Sequence, residues 1–201
     1  MTNQWDKRFQ IDDYLFGKEA NEFIKYCYEH IQLNGDNTLA IAEGEGRNAV
    51  FVAKKGFNVT TWDYSQVGLE KTRELAMENG VVVQTEQVDL NDAPWEESQW
   101  DQIFCVFGHF PEKLRESTLT NIKKALKPGG HFITEVYSIH QVPYKSGGPG
   151  DVSLLYAPDE FFKPFIDWRI IHFFMGEVMR HEGTHRGLSH VIQLSVQKPF
   201  N

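Results

Sequence analysis

The chain has 201 residues, 41% hydrophobic and 24% charged, which suits one globular core needing neither metal nor disulfide support. A formal net charge of −8 argues against general nucleic-acid binding, which needs a basic surface to displace counterions from phosphate. No apolar run approaches the about 20 residues that span a bilayer, and the opening MTNQWDKRFQ lacks a signal's apolar stretch, so a cytoplasmic protein without a membrane partner is expected.

In chain order, residues 1–17 mix aromatic and charged side chains without clear periodicity, and residues 18–32 carry helical spacing through Phe23, Ile24, Cys27 and Ile31. NGDN at 34–37 breaks that helix. An alternation follows: strand 38–42, helix 47–55 closed by Gly56, strand 58–62, a helix capped by Ser65 and ended before Gly80, and strand 81–86. Then come an apolar strand 100–107, helix 112–126 stopped by KPGG, and strand 131–137. Residues 138–157 form a loop bearing glycine and proline, and 158–164 a short helix. Residues 168–180 and 187–198 read as two long strands of a hairpin around HEGTHR. Strands alternating with helices predict parallel βαβ units in a doubly wound α/β sheet, with one domain over residues 1–201. Within it, 1–35 form an N-terminal cap and 138–165 a substrate-side loop and short helix. Cys27 and Cys105 fall on apolar segments and read as reduced core thiols.

The chemistry concentrates in LAIAEGEGRNAVFVAKKGFNVTTWD, residues 39–63. Gly44-Glu45-Gly46-Arg47-Asn48-Ala49 satisfies G-x-G-x-x-G/A between the first strand and the first helix of the alternating region. Such a turn lets the backbone approach a ligand and aims a helix N-terminus at it. Asp63, 19 residues after Gly44, ends the next strand, where an acid accepts hydrogen bonds from ribose hydroxyls. These features suit NAD and S-adenosyl-L-methionine (SAM) equally. Asp89 in VDLNDAPW follows the third strand, where an acid can meet an adenine amine or simply form a turn. The fourth strand leads into FGHFP at the ligand-binding edge, and the terminal hairpin is an unusual end for a dinucleotide domain.

AEGEGRNAVFVAKKGFNVTTWDYS, VDLND, LKPGGHFITEVY and HEGTHRGLSHVIQL, in that order, resemble the Rossmann-like SAM-dependent methyltransferases, most of all the small TehB, tellurite-resistance-type branch. The resemblance implies a seven-stranded, mostly parallel sheet with an antiparallel C-terminal hairpin strand and helices on both faces. It implies SAM as cofactor, S-adenosyl-L-homocysteine as product and a methyl acceptor that is a heavy-chalcogen oxyanion, a thiol or an amine. Carried over residue by residue, it puts Gly44 and Gly46 at the methionine portion of SAM, Asp63 at the ribose, Tyr64 beside the adenine, Asp89 and Leu90 on the adenine side and Val106 lining the cofactor. Asn48 in the same turn joins the cofactor set. The family pattern has an acid at Ala40 and a glycine at Ala42. Ala42 preserves the close approach if its φ is negative, and Glu43 either contacts the cofactor's ammonium or answers Arg47 and the helix dipole.

Trp5 and Arg8 are candidates for an N-terminal lid and a carboxylate contact, against the alternative of an amphipathic helix packed at the sheet edge. His109 is a candidate base, or a structural histidine. His185 and Arg186, in an HRG that matches the TehB-like branch, are candidates to deprotonate and clamp the acceptor, or exposed turn residues. No metal site is expected, because Gly183 lies between His181 and His185 in a hairpin. SGGPG at 146–150 reads as a mobile substrate lid. The expected partner is a small molecule, the assembly a monomer or homodimer. An NAD-dependent oxidoreductase and a non-catalytic SAM-binding sensor remain the alternatives.

Overall fold

The structure is a computed structural model that describes residues 3–200. Seven strands form one sheet: β1 (Asn37–Ile41), β2 (Asn58–Asp63), β3 (Val83–Gln87), β4 (Trp100–Val106), β5 (Leu126–Tyr137), β6 (Arg169–Glu182) and β7 (His185–Gln197), in the order β3-β2-β1-β4-β5-β7-β6. The pairs β1–β2, β1–β4, β2–β3 and β4–β5 are parallel. β7 runs antiparallel to both neighbours, β5 and β6. This is the mixed seven-stranded sheet expected, with the hairpin supplying its antiparallel member.

Among the described residues six α-helices accompany it: α1 (Gln4–Phe9), α2 (Glu22–His30), α3 (Arg47–Lys54), α4 (Gln66–Glu78), α5 (Glu112–Ala125) and α6 (Asp159–Phe165). The central strands are apolar on both faces because both are covered. Leu39, Ile41, Ile103 and Cys105 join one buried cluster, with α5 and α6. Their neighbours Ala40 and Phe104 turn the other way, into a second cluster with α2 and α3. Cys27 and Cys105 are buried free thiols. Burial pushes both thiol pKa values up, that of Cys105 to about 12, which leaves them unreactive.

Element ends follow local chemistry. Asn21 caps α2 by accepting from the Phe23 and Ile24 amides, so that helix starts later than apolar spacing alone suggests. Ser65 caps α4, as expected. β5 starts at Leu126, five residues earlier than expected, because Leu126 already pairs with Trp100. The irregular N-terminus contains a regular helix, α1, closed by a capping box between Asn3 and Asp6.

The strand order reverses between β1 and β4, which puts the crevice beyond the carboxyl ends of the parallel strands at residues 42–49 and 107–110. Three segments converge there: α1 with the following loop, the β6–β7 turn, and residues 138–157. Thr184 in the turn donates its backbone N–H to Leu15 O.

Candidate active site

The loop after β1 is built around backbone that side chains disfavour. Ala42 has φ +51, so the condition of a negative φ is not met; the family's glycine position keeps its left-handed requirement here and alanine bears about 1 kcal/mol of strain. Gly44 and Gly46 have φ +68 and +83. A Cβ on Gly46 would meet Thr72 Cγ2 at 2.5 Å, so glycine is required on two counts.

Asp63 ends β2 beside this loop. It accepts from the backbone N–H of Gly44 and of Ser65, each at 2.7 Å. Burial raises its pKa against those two amides. Val88 N–H donates to Asp63 O, which brings the end of β3, and with it Asp89, to the same edge. Asp89 is exposed, and its Oδ1 accepts from the Asn91 backbone at 2.9 Å and side chain at 2.7 Å, the turn alternative. Leu90 packs partly into the first core cluster, Val106 lies in the second, and the Tyr64 ring is exposed.

Glu43 and Asn48 are committed to the protein itself. The Glu43 carboxylate accepts from the Asn48 and Ala49 amides at 2.8 and 2.9 Å, and from Asn48 Nδ2 at 3.2 Å. It thus answers the α3 dipole, one of the two roles expected of it. Burial raises its pKa to about 7 against those donors. Asn48 Oδ1 accepts from the Asn21 N–H at 2.9 Å, tying α3 to α2.

The N-terminal helix roofs the glycine loop. Phe9 is buried, and a Cβ on Gly44 would stand 3.1 Å from its ring. Asp6 accepts from Ser65 Oγ at 2.6 Å, which locks α1 to the α4 N-terminus. Trp5 stacks on Phe9 with ring centroids 5.5 Å apart, and the exposed Arg8 lies 4.5 Å over the Trp5 ring. The segment packs as the amphipathic-helix alternative describes.

On the β4–β5 side, His109 Nδ1 donates to Leu154 O at 2.8 Å, and Nε2 accepts from the Tyr137 N–H at 3.4 Å. Burial holds its pKa at about 4. Both nitrogens are spent on backbone, so His109 is a structural pin between two loops and not the base expected. Arg186 is exposed and its Nε donates to Gly183 O at 3.0 Å, which puts it on the hairpin turn and not around an anion. His185 is buried among Phe16, Phe107 and Tyr137, at ring-centroid distances of 4.8, 5.6 and 5.6 Å. Burial, then Arg180 and Arg47, holds its pKa at about 4, so it is neutral at pH 7. The SGGPG segment is fastened at one end: Gln141 Nε2 donates to Ser146 Oγ and Gly147 O, and Ser146 Oγ bonds Ser189 Oγ at 2.6 Å.

Sequence reasoning missed a buried ionic chain linking the two halves of the site. Arg47, the first residue of α3, pairs with Glu182 at 2.6 Å; Glu182 pairs with Arg180 at 2.9 Å; Arg180 pairs with Glu135, which also holds Asn21 Nδ2 and Gln193 Nε2. Opposite charges alternate, so four buried ions neutralise one another. Only Arg47 carried a local signal, as a charge inside the glycine turn; its partner lies 135 positions away.

The residues present fit a SAM-type ligand: a glycine loop with left-handed backbone, an adjacent buried carboxylate with lone pairs left for hydroxyl donors, and an apolar roof. Residues 38–130 match the model of a methyltransferase domain. "Probable S-adenosyl-L-methionine-dependent methyltransferase TehB" from Haemophilus influenzae is 26% identical over 137 residues, 67% of this chain and 46% of that protein. The crystal structure of TehB from Haemophilus influenzae superposes with a TM-score of 0.69 at 19% identity, over 89% of this chain and 62% of that one. A structure solved for conversion of a disulfide bond into a thioacetal group during echinomycin biosynthesis superposes with a TM-score of 0.73 at 19% identity, over 91% and 84%. The fold is the one shared by Rossmann-like SAM-dependent methyltransferases, and residues 38–130 carry the methyltransferase-domain match. The chain spans about half the length of the curated relatives it matches. Its match to the methyltransferase-domain model and its likeness to TehB in sequence and fold make it similar to the TehB-like SAM-dependent methyltransferases.

Proposed function

We propose that this chain transfers a methyl group from SAM to a small-molecule acceptor, and that residues 1–201 form one methyltransferase domain, with 1–35 as its cap and 138–165 as its acceptor-side cover. The observation that carries the reading is the Gly44–Asp63 contact at the crevice edge of the sheet, where a buried carboxylate meets a glycine loop. In this reading Gly44 and Gly46 admit the cofactor, Asp63 accepts from its ribose hydroxyls, and Asp89, Leu90 and Tyr64 border its adenine. Trp5 and Phe9 exclude water from above. Glu43 and Asn48 hold the α3 N-terminus in place behind the loop. His185 faces the acceptor.

Bound there, SAM supplies a methyl carbon already activated by a sulfonium charge. The protein's share is alignment, exclusion of water and, for a protonated nucleophile, a proton acceptor. A neutral His185 is in the protonation state for that task. The net charge of −8 favours a small acceptor over nucleic acid, and the TehB-like type suggests a heavy-chalcogen oxyanion, a thiol or an amine, with tellurite resistance as the corresponding physiology. The echinomycin neighbour, whose printed chemistry is at sulfur, supports the sulfur member of that set.

Thermal shift with SAM, S-adenosyl-L-homocysteine and NAD tests the cofactor: SAM and its product raise the midpoint and NAD does not. Asp63→Ala abolishes the SAM shift; an intact shift removes the ribose assignment. Labelled SAM with tellurite, selenite, short thiols and amines then identifies the acceptor.

A further inference from the structure

Tyr137 ends β5 fully buried, and among the described residues its hydroxyl makes no hydrogen bond of good geometry, Ser189 being its nearest hydroxyl neighbour. The Ser189 hydroxyl is itself taken up by Ser146 at 2.6 Å. His185 Nδ1, in the ring packed edge-on against Tyr137, is buried and unpartnered too. A buried hydroxyl without a partner costs about 1–3 kcal/mol, so its retention calls for an explanation.

The glycines of the 146–150 loop lie between these two groups. A Cβ on Gly147, at φ +134, would stand 2.5 Å from His185 Cδ2, 2.9 Å from Tyr137 Oη and 3.1 Å from His185 Cγ. A Cβ on Gly148 would press on the Tyr137 ring at 2.7 Å. The loop backbone therefore packs closely against both rings, and neither glycine leaves room for a side chain there. The place is contiguous with the glycine loop: Phe9 lies on Gly44, Phe16 meets Phe9 at 6.3 Å, and His185 meets Phe16 at 4.8 Å. Phe107, leaving β4 at φ +56, stacks on Tyr137 at 4.6 Å and orients its ring.

We propose that Tyr137 is an acceptor-binding residue: its hydroxyl and His185 Nδ1 form a two-point hydrogen-bonding site for the methyl acceptor, reached when Gly147 and Gly148 move aside with loss of the Gln141 Nε2–Gly147 O hydrogen bond. The assignment rests on the methyltransferase reading and adds a residue and a gate to it. Tyr137 keeps its proton at any working pH, because burial pushes its pKa far up, so it serves as a donor. The acceptor thus needs a lone pair on an atom near the nucleophile.

Tyr137→Phe keeps the stack on Phe107 and deletes only the hydroxyl. Its unfolding midpoint is expected to equal or exceed that of the wild type, since nothing bonded is lost, and its SAM-induced shift to be unchanged. With labelled SAM and selenite, a short thiol or a short amine as probe, KM for the methylated probe rises roughly 3- to 10-fold while kcat holds. A lowered midpoint, or an unchanged KM, overturns the proposal. Gly147→Ala places a methyl between the two rings and is expected to stop turnover while the SAM shift persists; retained turnover also overturns it. If the wild type binds no SAM or methylates none of the probes, the functional reading fails, and the midpoint comparison still decides the hydroxyl.

Discussion

Replacing Glu43 by glutamine changes how stability depends on pH. Glu43 has an ordinary pKa of 4.5 and is raised to about 7 in the folded chain by burial, against the three donors at the start of α3. A group whose folded pKa is raised binds its proton more tightly folded than unfolded. Its stabilising share is therefore complete below about pH 4.5 and is lost as pH rises through about 7. Integrating the linkage relation between pH 5 and pH 8 gives a loss of about 2.5 kcal/mol. Glutamine cannot titrate. It keeps an oxygen for the Asn48 and Ala49 amides but sets an NH2 against Asn48 Nδ2, so Glu43→Gln is expected to be less stable than wild type at pH 5. Urea unfolding of both proteins at pH 5, 6, 7 and 8 should show that deficit shrinking by about 2–3 kcal/mol across the series. Other titrating groups act alike in both proteins and cancel in the difference. Parallel profiles would falsify the buried-carboxylate account of Glu43.

Three other outcomes follow from the same geometry. Glu182→Ala leaves Arg47 and Arg180 without their shared carboxylate and should destabilise by about 3–5 kcal/mol, read by urea unfolding. Gly46→Ala combines left-handed backbone with a 2.5 Å approach to Thr72, whereas Gly56→Ala, at φ +96 with nothing within 4 Å, has only the strain, about 1 kcal/mol; thermal unfolding should rank Gly46 well above Gly56 in cost. His185 has its pKa lowered to about 4, so its share of stability is present above about 6.5 and is lost as pH falls through about 4; His185→Phe should flatten that acid limb in urea unfolding.

The alternating elements were legible because periodicity and glycine stops are local signals, and the hairpin because two long strand-like runs flank HEGTHR. Ser65 and Gly56 marked helix ends for the same reason. α1 stood only as an unplaced helix alternative because six residues give too little periodicity, although the Asn3–Asp6 spacing of its capping box was available. The left-handed φ of Ala42 is set by the path of the chain through the loop, which the size of its side chain does not reveal. His109 and Arg186 were plausible chemistry by residue type; their hydrogen bonds to Leu154 and Gly183 carbonyls depend on how loops meet, which no spacing encodes. Glu182 as partner of Arg47, and the unpartnered Tyr137 hydroxyl, are likewise properties of the assembled fold.

The strand order has a consequence for the birth of the protein. β7 sits between β5 and β6, yet follows both in the chain. During synthesis the cofactor-side strands β3, β2, β1 and β4 can pair as they emerge, while β5 presents one bare, apolar edge until residues 185–197 have left the ribosome. Across that interval of some 50 residues, an alien strand can occupy the place reserved for β7. A translation pause before β6, or a chaperone that shields β5, should therefore affect yield more than any single contact in the finished site.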